Sequence, residues 1–183
     1  MREPVARCTS EYYYTRYGAR NRVLKKNVLD RYGGAPLDEC MGRPREELPG
    51  CMNCEPAGQA RAFCGVDGGA CAAAAGDEVL ARAWANVRAH YVVAPTENLA
   101  DGVAVLERLY PDFFSGAGRL LARSGPQKVT HTRQEYVEPG PAARAALAEW
   151  ADVDVRLYGL VVERFWALHA ACGLPRLPPT AAD

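Results

Sequence analysis

The spacing of apolar residues predicts two helical regions separated by a long irregular segment. After Pro4, which suits the first position of a helix, an apolar stripe with one cation recurs at helical spacing: Val5, Cys8, Tyr12 and Arg16. Residues 31–75 show no lasting period and are rich in glycine and proline, which predicts a loop. A loop of this length in a compact domain is expected to be cross-linked, functional or both.

The second half of the chain predicts further helices and one short strand. Helices are expected from about Asp77, over residues 97–110, and as one long amphipathic element over residues 141–172. The run Tyr91-Val92-Val93 predicts a short buried strand, and residues 115–140 are expected to be mostly loop. The pattern therefore indicates a mostly helical fold with one or two short strands.

Charge and length narrow the classes of function. The chain has 183 residues, enough for a domain with a core, and 22 cationic residues balance 22 acidic ones, which does not favour a nucleic-acid partner. No apolar run approaches the roughly 20 residues that span a bilayer. Cations nonetheless cluster in one stretch: Arg16, Arg20, Arg22, Lys25, Lys26 and Arg31. That stretch is either a solvated helix face with a loop or a site for a polyanion.

Five of the seven cysteines fall in the irregular segment: Cys40, Cys51, Cys54, Cys64 and Cys71. Such clustering indicates disulfides in an oxidising compartment or a metal site. A four-thiolate zinc site from the last four is possible, but six residues separate Cys64 from Cys71, more than the usual two to four. Cys8 and Cys172 fall on apolar helix faces and are expected to be buried thiols.

The N-terminal string from Arg2 to Ser10 holds candidate anion-binding groups. An arginine just before a proline-started helix can direct its guanidinium at a phosphate, and the free N–H groups of the helix favour the same anion. Taken singly, both residues could be ordinary surface residues. Their order resembles the 3′-phosphate-binding motif of sulfotransferases that use 3′-phosphoadenosine 5′-phosphosulfate (PAPS). In that motif, an arginine, an acid and a proline open the helix and a serine follows the arginine by eight positions.

Further motifs extend the resemblance to the heparan sulfate and uronyl 2-O-sulfotransferase family over roughly residues 1–172. They are Tyr12-Tyr13-Tyr14-Thr15-Arg16-Tyr17-Gly18, Asp38-Glu39-Cys40, Phe63-Cys64-Gly65 with Cys71, Thr96-Glu97 and Pro111-Asp112-Phe113-Phe114. The resemblance implies an α/β fold, namely the C-terminal part of a P-loop-type sulfotransferase domain over residues 1–173, followed by a disordered tail, 174–183. It also implies disulfides from Cys64 to Cys71 and from Cys40 to Cys51 or Cys54.

The resemblance assigns roles to several residues. Arg2 and Ser10 would hold the 3′-phosphate of PAPS, and Thr130 with Arg133 would close over the nucleotide, although that segment could equally be an exposed polar loop. The cations Arg16, Arg20 and Arg22 would contact the acidic acceptor. No metal is implied. The family keeps its phosphosulfate loop and its catalytic histidine upstream of the arginine motif, so this chain is expected to lack both and to be inactive alone.

The catalytic residue is left unassigned. Of the three histidines, His90 and His169 fit half-buried structural positions near helix ends, and His131 does not match the family base. The implied reaction moves sulfate from PAPS to the 2-hydroxyl of a uronic acid in a glycosaminoglycan-like polysaccharide. The implied setting is the Golgi lumen, as part of a type II membrane protein that could oligomerise. The alternative is a catalytically dead lumenal or secreted module that binds acidic polysaccharide.

Overall fold

The computed structural model describes residues 1–18, 22–65, 71, 73–124 and 136–176, which form two compact units. Unit 1 comprises Met1–Glu3, Gln59–Lys128 and Arg156–Asp183, and unit 2 comprises Pro4–Gly58 and Val129–Val155. The described residues are mostly helical, as the sequence predicts, and contain no β-strand. The expectation of a single domain over residues 1–173 stays a prediction.

Ten α-helices are described along the chain. They are α1 (Pro4–Tyr13), α2 (Arg22–Tyr32), α3 (Leu37–Met41), α4 (Gly58–Ala62), α5 (Gly76–His90), α6 (Leu99–Leu109), α7 (Pro111–Phe114), α8 (Ala117–Ser124), α9 (Pro141–Trp150) and α10 (Asp152–Ala171). A π-helical turn follows α1 over Tyr14–Gly18, and 3-10 turns cover Arg45–Gly50 and Thr96–Asn98. None of these helices is both long and apolar enough to cross a membrane.

The core of unit 2 forms where α1, α3 and α9 pack together. Its buried side chains are Val5, Cys8, Tyr12, Tyr13, Leu37, Cys40, Met41, Leu48, Cys51, Met52, Cys54, Ala143, Leu147, Trp150 and Ala151. The indole of Trp150 donates to the carbonyl of Cys54 at 3.0 Å, so its polar edge is satisfied inside the core. The predicted stripe of α1 is therefore the face that this helix buries.

The core of unit 1 lies along the inner faces of α5 and α10. Val79, Ala83 and Val87 are buried on α5, and Leu157, Val161 and Phe165 are buried on α10, each set at helical spacing. Polar contacts fix the same unit at its surface. Asn86 donates to the carbonyl of Phe63 at 2.8 Å, and Arg156 pairs with Asp77 at 2.7 Å.

Four predictions on local structure need correction. The loop predicted over residues 31–75 contains α3, a 3-10 turn and α4. The long helix predicted over residues 141–172 is two helices, because Ala151 leaves the helical conformation with φ −98° and ψ 26°. The loop predicted over residues 115–140 contains α8. The segment Tyr91-Val92-Val93 is not a strand, and its first two residues are exposed rather than buried. An extended segment becomes a strand only when a neighbour pairs with it along its length.

Candidate functional site

Arg2 lies in unit 1. Its side chain is exposed, and its backbone N–H and carbonyl are both hydrogen-bonded. Its N–H donates to Gln59 Oε1 at 3.0 Å, and its carbonyl accepts from Gln59 Nε2 at 2.9 Å. The neighbouring Met1 nitrogen donates to the carbonyl of Ala94 at 2.7 Å, and the Met1 carbonyl accepts from the N–H of Thr96 at 2.8 Å. The guanidinium of Arg2 has no hydrogen-bond or ion-pair partner among the described residues.

Glu97 forms a hydrogen bond with the residue that follows Arg2. Its Oε1 accepts from the N–H of Glu3 at 2.8 Å, and its Oε2 accepts from the Tyr158 hydroxyl at 3.1 Å. Burial raises the pKa of Glu97, but hydrogen bonds from the N–H groups of Glu3 and Glu97 and from the Tyr158 hydroxyl outweigh it, so this pKa lies below the usual value. Burial and the nearby Glu97 charge raise the pKa of Tyr158. The carboxylate is thus ionised and the phenol protonated at neutral pH.

Ser10, the second residue expected at the 3′-phosphate, lies on α1 in unit 2. Its side chain is half-buried, and its hydroxyl has no partner among the described residues. Thr9, the residue before it, is buried and donates to the carbonyl of Val5 at 2.8 Å, as serine and threonine commonly do within helices. The hydroxyl of Ser10 remains available as a donor.

Arg16 is buried, which corrects the expectation that it meets an acidic acceptor at the surface. Its guanidinium lies 3.6 Å from the centroid of the Tyr12 ring and donates to Asn53 Oδ1 at 2.7 Å. It also donates to the backbone carbonyls of Tyr12, Gly33 and Cys51. Burial lowers the pKa of Arg16, against the effect of three nearby tyrosines. Arg16 is an internal cross-link of unit 2.

The other predicted contacts are only partly covered by the structure. Arg20, Thr130 and Arg133 lie outside the described residues, and Arg22 is described only as the first residue of α2. Among the described side chains of the basic stretch, Lys26 and Arg31 are exposed. The roles assigned to Arg20, Arg22, Thr130 and Arg133 stay predictions.

Three disulfides cross-link the chain. Cys64–Cys71, in unit 1, confirms the sequence prediction, and Cys40–Cys51, in unit 2, resolves the alternative between Cys51 and Cys54. Cys54 instead bonds to Cys8, which is therefore no free thiol and corrects the prediction for that residue. Each of the four cysteines considered for a zinc site is part of a disulfide. Cys172 is unpaired and half-buried.

The described histidines lie away from Arg2 along the chain and differ in their surroundings. His169 is buried on α10, with Nε2 lying 3.1 Å from Oδ1 of the buried Asp101, without the alignment of a hydrogen bond. His90, expected to be half-buried, is exposed at the end of α5, and His131 lies outside the described residues. The structure thus gives no reason to assign either described histidine as a catalytic base.

Comparison with curated proteins finds relatives of one kind. The heparan sulfate 2-O-sulfotransferase of Caenorhabditis elegans is 36% identical over 119 residues, 64% of this chain. The uronyl 2-sulfotransferase of Mus musculus and heparan sulfate 2-O-sulfotransferase 1 of Xenopus laevis are each 28% identical, over 95% and 93% of the chain. The sequence of this chain is therefore similar to those of heparan sulfate and uronyl 2-O-sulfotransferases. No protein-family model matches it.

The similarity to these sulfotransferases covers most of this chain but less than half of the length of each of them. The chain spans 35%, 44% and 47% of the lengths of the three relatives, in the order given. Both longer alignments cover enough of the chain to include most of the described residues of the two units. The two hydrogen bonds between the Gln59 amide and the backbone of Arg2 could not be predicted from the sequence, because every residue has the backbone groups that Gln59 contacts.

Proposed function

We propose that this chain forms the 3′-phosphate side of the donor site in a PAPS-dependent carbohydrate 2-O-sulfotransferase. The observation that supports the proposal best is Arg2, an exposed guanidinium without a partner among the described residues, on a backbone bonded at both of its polar groups. Arg2 and Ser10 occupy the two positions of the sulfotransferase motif. A guanidinium suits a phosphate because it donates two parallel charge-assisted hydrogen bonds.

The proposed reaction transfers sulfate from PAPS to the 2-hydroxyl of a uronic acid in a glycosaminoglycan-like polysaccharide. Arg2 and Ser10 would bind the 3′-phosphate of the donor and orient it. The 183 residues alone are proposed to be inactive, because neither a glycine- and lysine-bearing phosphosulfate loop nor a histidine matching the family base is recognised in their sequence. Loss of a general base alone costs roughly 10²–10⁴-fold in rate.

The proposed setting is the Golgi lumen, as part of a type II membrane protein. The three disulfides support an oxidising compartment, since structural disulfides are rare where thiol-reducing systems operate. The acidic acceptor is proposed to meet the basic stretch through exposed cations, of which Lys26 and Arg31 are described. The buried Arg16 is excluded from this surface.

The test compares the binding of two nucleotides, adenosine 3′,5′-bisphosphate and adenosine 5′-phosphate, to the 183-residue chain by calorimetry or NMR titration. Arg2→Ala should weaken binding of the bisphosphate by roughly 10–150-fold and leave binding of the 5′-phosphate nearly unchanged. Arg2→Lys should recover part of the loss, because an ammonium lacks the planar fork. Ser10→Ala should cost less, since it removes one neutral donor.

The matched control is Arg123→Ala, which removes another exposed cation of unit 1 and should leave the nucleotide preference intact. If Arg2→Ala weakens both nucleotides equally, Arg2 stabilises the fold and does not bind the phosphate. If the chain prefers neither nucleotide but binds heparin through Lys26 and Arg31, it acts as a module that binds acidic polysaccharide.

A further inference from the structure

Three consecutive residues at the start of unit 1 are held by backbone hydrogen bonds to three separate points. Met1 is bonded to Ala94 and Thr96, Arg2 to the side chain of Gln59, and Glu3 to the carboxylate of Glu97. The Met1 ammonium donates to the carbonyl of Ala94, and the Met1 carbonyl accepts from the N–H of Thr96, so Met1 is bonded on both sides of Pro95. The segment Met1–Glu3 is thus fixed in conformation even though it lies at the surface.

The amide of Gln59 makes the most specific of these contacts. Its oxygen accepts from the Arg2 N–H at 3.0 Å while its nitrogen donates to the Arg2 carbonyl at 2.9 Å. One side chain therefore satisfies both backbone groups of one residue, as an adjacent strand would. A primary amide can do this because it carries a donor and an acceptor on one planar group.

These contacts are exposed, so burial of apolar surface is not their main effect. Exposed hydrogen bonds exchange with water and add little net stability. Their clear effect is to restrict the φ and ψ angles of Arg2, whose guanidinium stays exposed and unpartnered among the described residues. A residue with a fixed backbone and a free charged group loses less conformational entropy when it binds an anion.

We propose that Gln59 and Glu97 are positioning residues that hold Arg2 ready for the 3′-phosphate of the donor nucleotide. The inference rests on the proposed function, because it assigns Arg2 to that phosphate. Gln59 acts on the backbone of Arg2 itself, whereas Glu97 acts one residue later, at Glu3, and is in turn oriented by the Tyr158 hydroxyl. Neither side chain needs to touch the nucleotide.

The first experiment measures affinity for adenosine 3′,5′-bisphosphate and adenosine 5′-phosphate in Gln59→Ala and Gln59→Glu. Gln59→Ala should weaken binding of the bisphosphate roughly 3–10-fold, which corresponds to the loss of one or two hydrogen bonds, and should change binding of the 5′-phosphate little. Gln59→Glu keeps the acceptor, loses the donor and adds a negative charge, so it should weaken binding of the bisphosphate further. Glu97→Gln should have a smaller effect in the same direction.

The matched control is Asn86→Ala. Asn86 is a half-buried residue of the same unit, and its amide also donates to a backbone carbonyl, that of Phe63, at 2.8 Å. Removing it costs a comparable hydrogen bond away from Arg2, so it should leave the nucleotide preference unchanged. Equal weakening of both nucleotides in Gln59→Ala would show a structural role only and overturn the inference.

A double variant separates positioning from direct contact. If Gln59 acts through Arg2, Gln59→Ala should change nothing further once Arg2→Ala is present. A further loss of bisphosphate binding in the double variant would mean that Gln59 meets the phosphate directly, and positioning would be the wrong description. If Arg2→Ala itself leaves the preference intact, the proposed function fails, and the inference fails with it.

Hydrogen exchange provides a readout that needs no nucleotide. The Arg2 amide should exchange faster in Gln59→Ala, and the Glu3 amide faster in Glu97→Gln, with the rest of unit 1 unchanged. Unaltered exchange of both amides would overturn the positioning role of Gln59 and Glu97, even if nucleotide affinity changed. Altered exchange without altered nucleotide preference would show that these hydrogen bonds exist but do not contribute to phosphate binding, which would also overturn the inference.

Discussion

The guanidinium of Arg16 lies over the ring of Tyr12, with its central carbon 3.6 Å from the ring centroid, inside unit 2. Two of the residues that accept its hydrogen bonds lie at disulfides, since Cys51 itself bonds to Cys40 and Asn53 precedes Cys54. Asn53 also donates to the carbonyl of Glu11 and to the Thr15 hydroxyl. A single cation thus joins α1 and the π-helical turn to the cysteine-rich segment.

Replacement of Arg16 should destabilise the protein strongly. Arg16→Ala leaves buried carbonyls and the Asn53 amide oxygen without donors and opens a cavity beside Tyr12, which we expect to cost about 3 kcal/mol or more. Arg16→Lys should recover only part of this, because an ammonium cannot reach the same carbonyls with a planar fork. Urea unfolding, followed by tyrosine or tryptophan fluorescence, measures both variants.

A surface arginine provides the matched control for Arg16. Arg45 pairs with Glu149 at 3.3 Å, and both side chains are mostly exposed. Arg45→Ala should therefore change the free energy of unfolding by about 0.5 kcal/mol or less. If Arg16→Ala were equally mild and instead reduced binding to heparin, the surface role expected from the sequence would be restored.

The two disulfides of unit 2 should differ in their contribution to stability. Cys8–Cys54 spans 46 residues and Cys40–Cys51 spans 11, and all four sulfurs are buried. In the chain-entropy model these loops correspond to about 4 and about 3 kcal/mol. Paired alanine variants of each bridge should thus show the larger drop in urea midpoint for Cys8 and Cys54. The reverse order would indicate structure in the unfolded chain that the longer bridge does not restrict.

The stability of unit 1 should depend on the ionisation of Glu97. Because the pKa of Glu97 in the folded protein lies below its usual value of 4.5, the ionised carboxylate stabilises the fold above about pH 4.5. That contribution is lost as the pH falls through the folded pKa. The difference in stability between the wild type and Glu97→Gln, measured by thermal unfolding, should therefore be largest above about pH 4.5 and disappear as the pH falls through the folded pKa of Glu97. Glu163→Gln, which removes an exposed carboxylate of α10, controls for the charge change.

Close packing at Gly102 should make this position intolerant of a larger residue. A Cβ atom built on Gly102 would lie 2.8 Å from Cβ of Ala94, closer than two carbons can approach. Gly102→Ala should therefore lower the melting temperature despite the higher helix propensity of alanine. Ala94→Gly should restore it in the double variant. A stabilising effect of Gly102→Ala alone would show that the segment before Pro95 moves away at little cost.

The helical character of α1, α5, α9 and α10 could be predicted from the sequence because each buries one face at a regular spacing. The stripe of α1 even included Arg16, yet the charge of that residue suggested a surface role. The helical pattern was the better guide, because Tyr12 and Asn53 compensate the burial of the guanidinium. At this position the helical pattern and the charge of the residue therefore gave opposite indications, and the pattern was correct.

Features that depend on a partner distant along the chain could not be predicted. The apolar run at Tyr91 was expected to be a strand, but strand formation requires a neighbour that residue types do not identify. Cys8 was expected to be a buried thiol because its helical face is apolar, and burial alone does not distinguish a thiol from a disulfide. Gln59 gave no signal, since its partners are backbone groups that every residue possesses.

The unpaired Cys172 has a practical consequence for making this protein. With six cysteines oxidised and one left over, every step of oxidative refolding includes a thiolate able to attack a bridge already formed. Mispaired intermediates then persist until an isomerase or a redox buffer reshuffles them. A Cys172→Ser substitution removes that nucleophile without touching any native bridge, and it should raise the yield of correctly paired material.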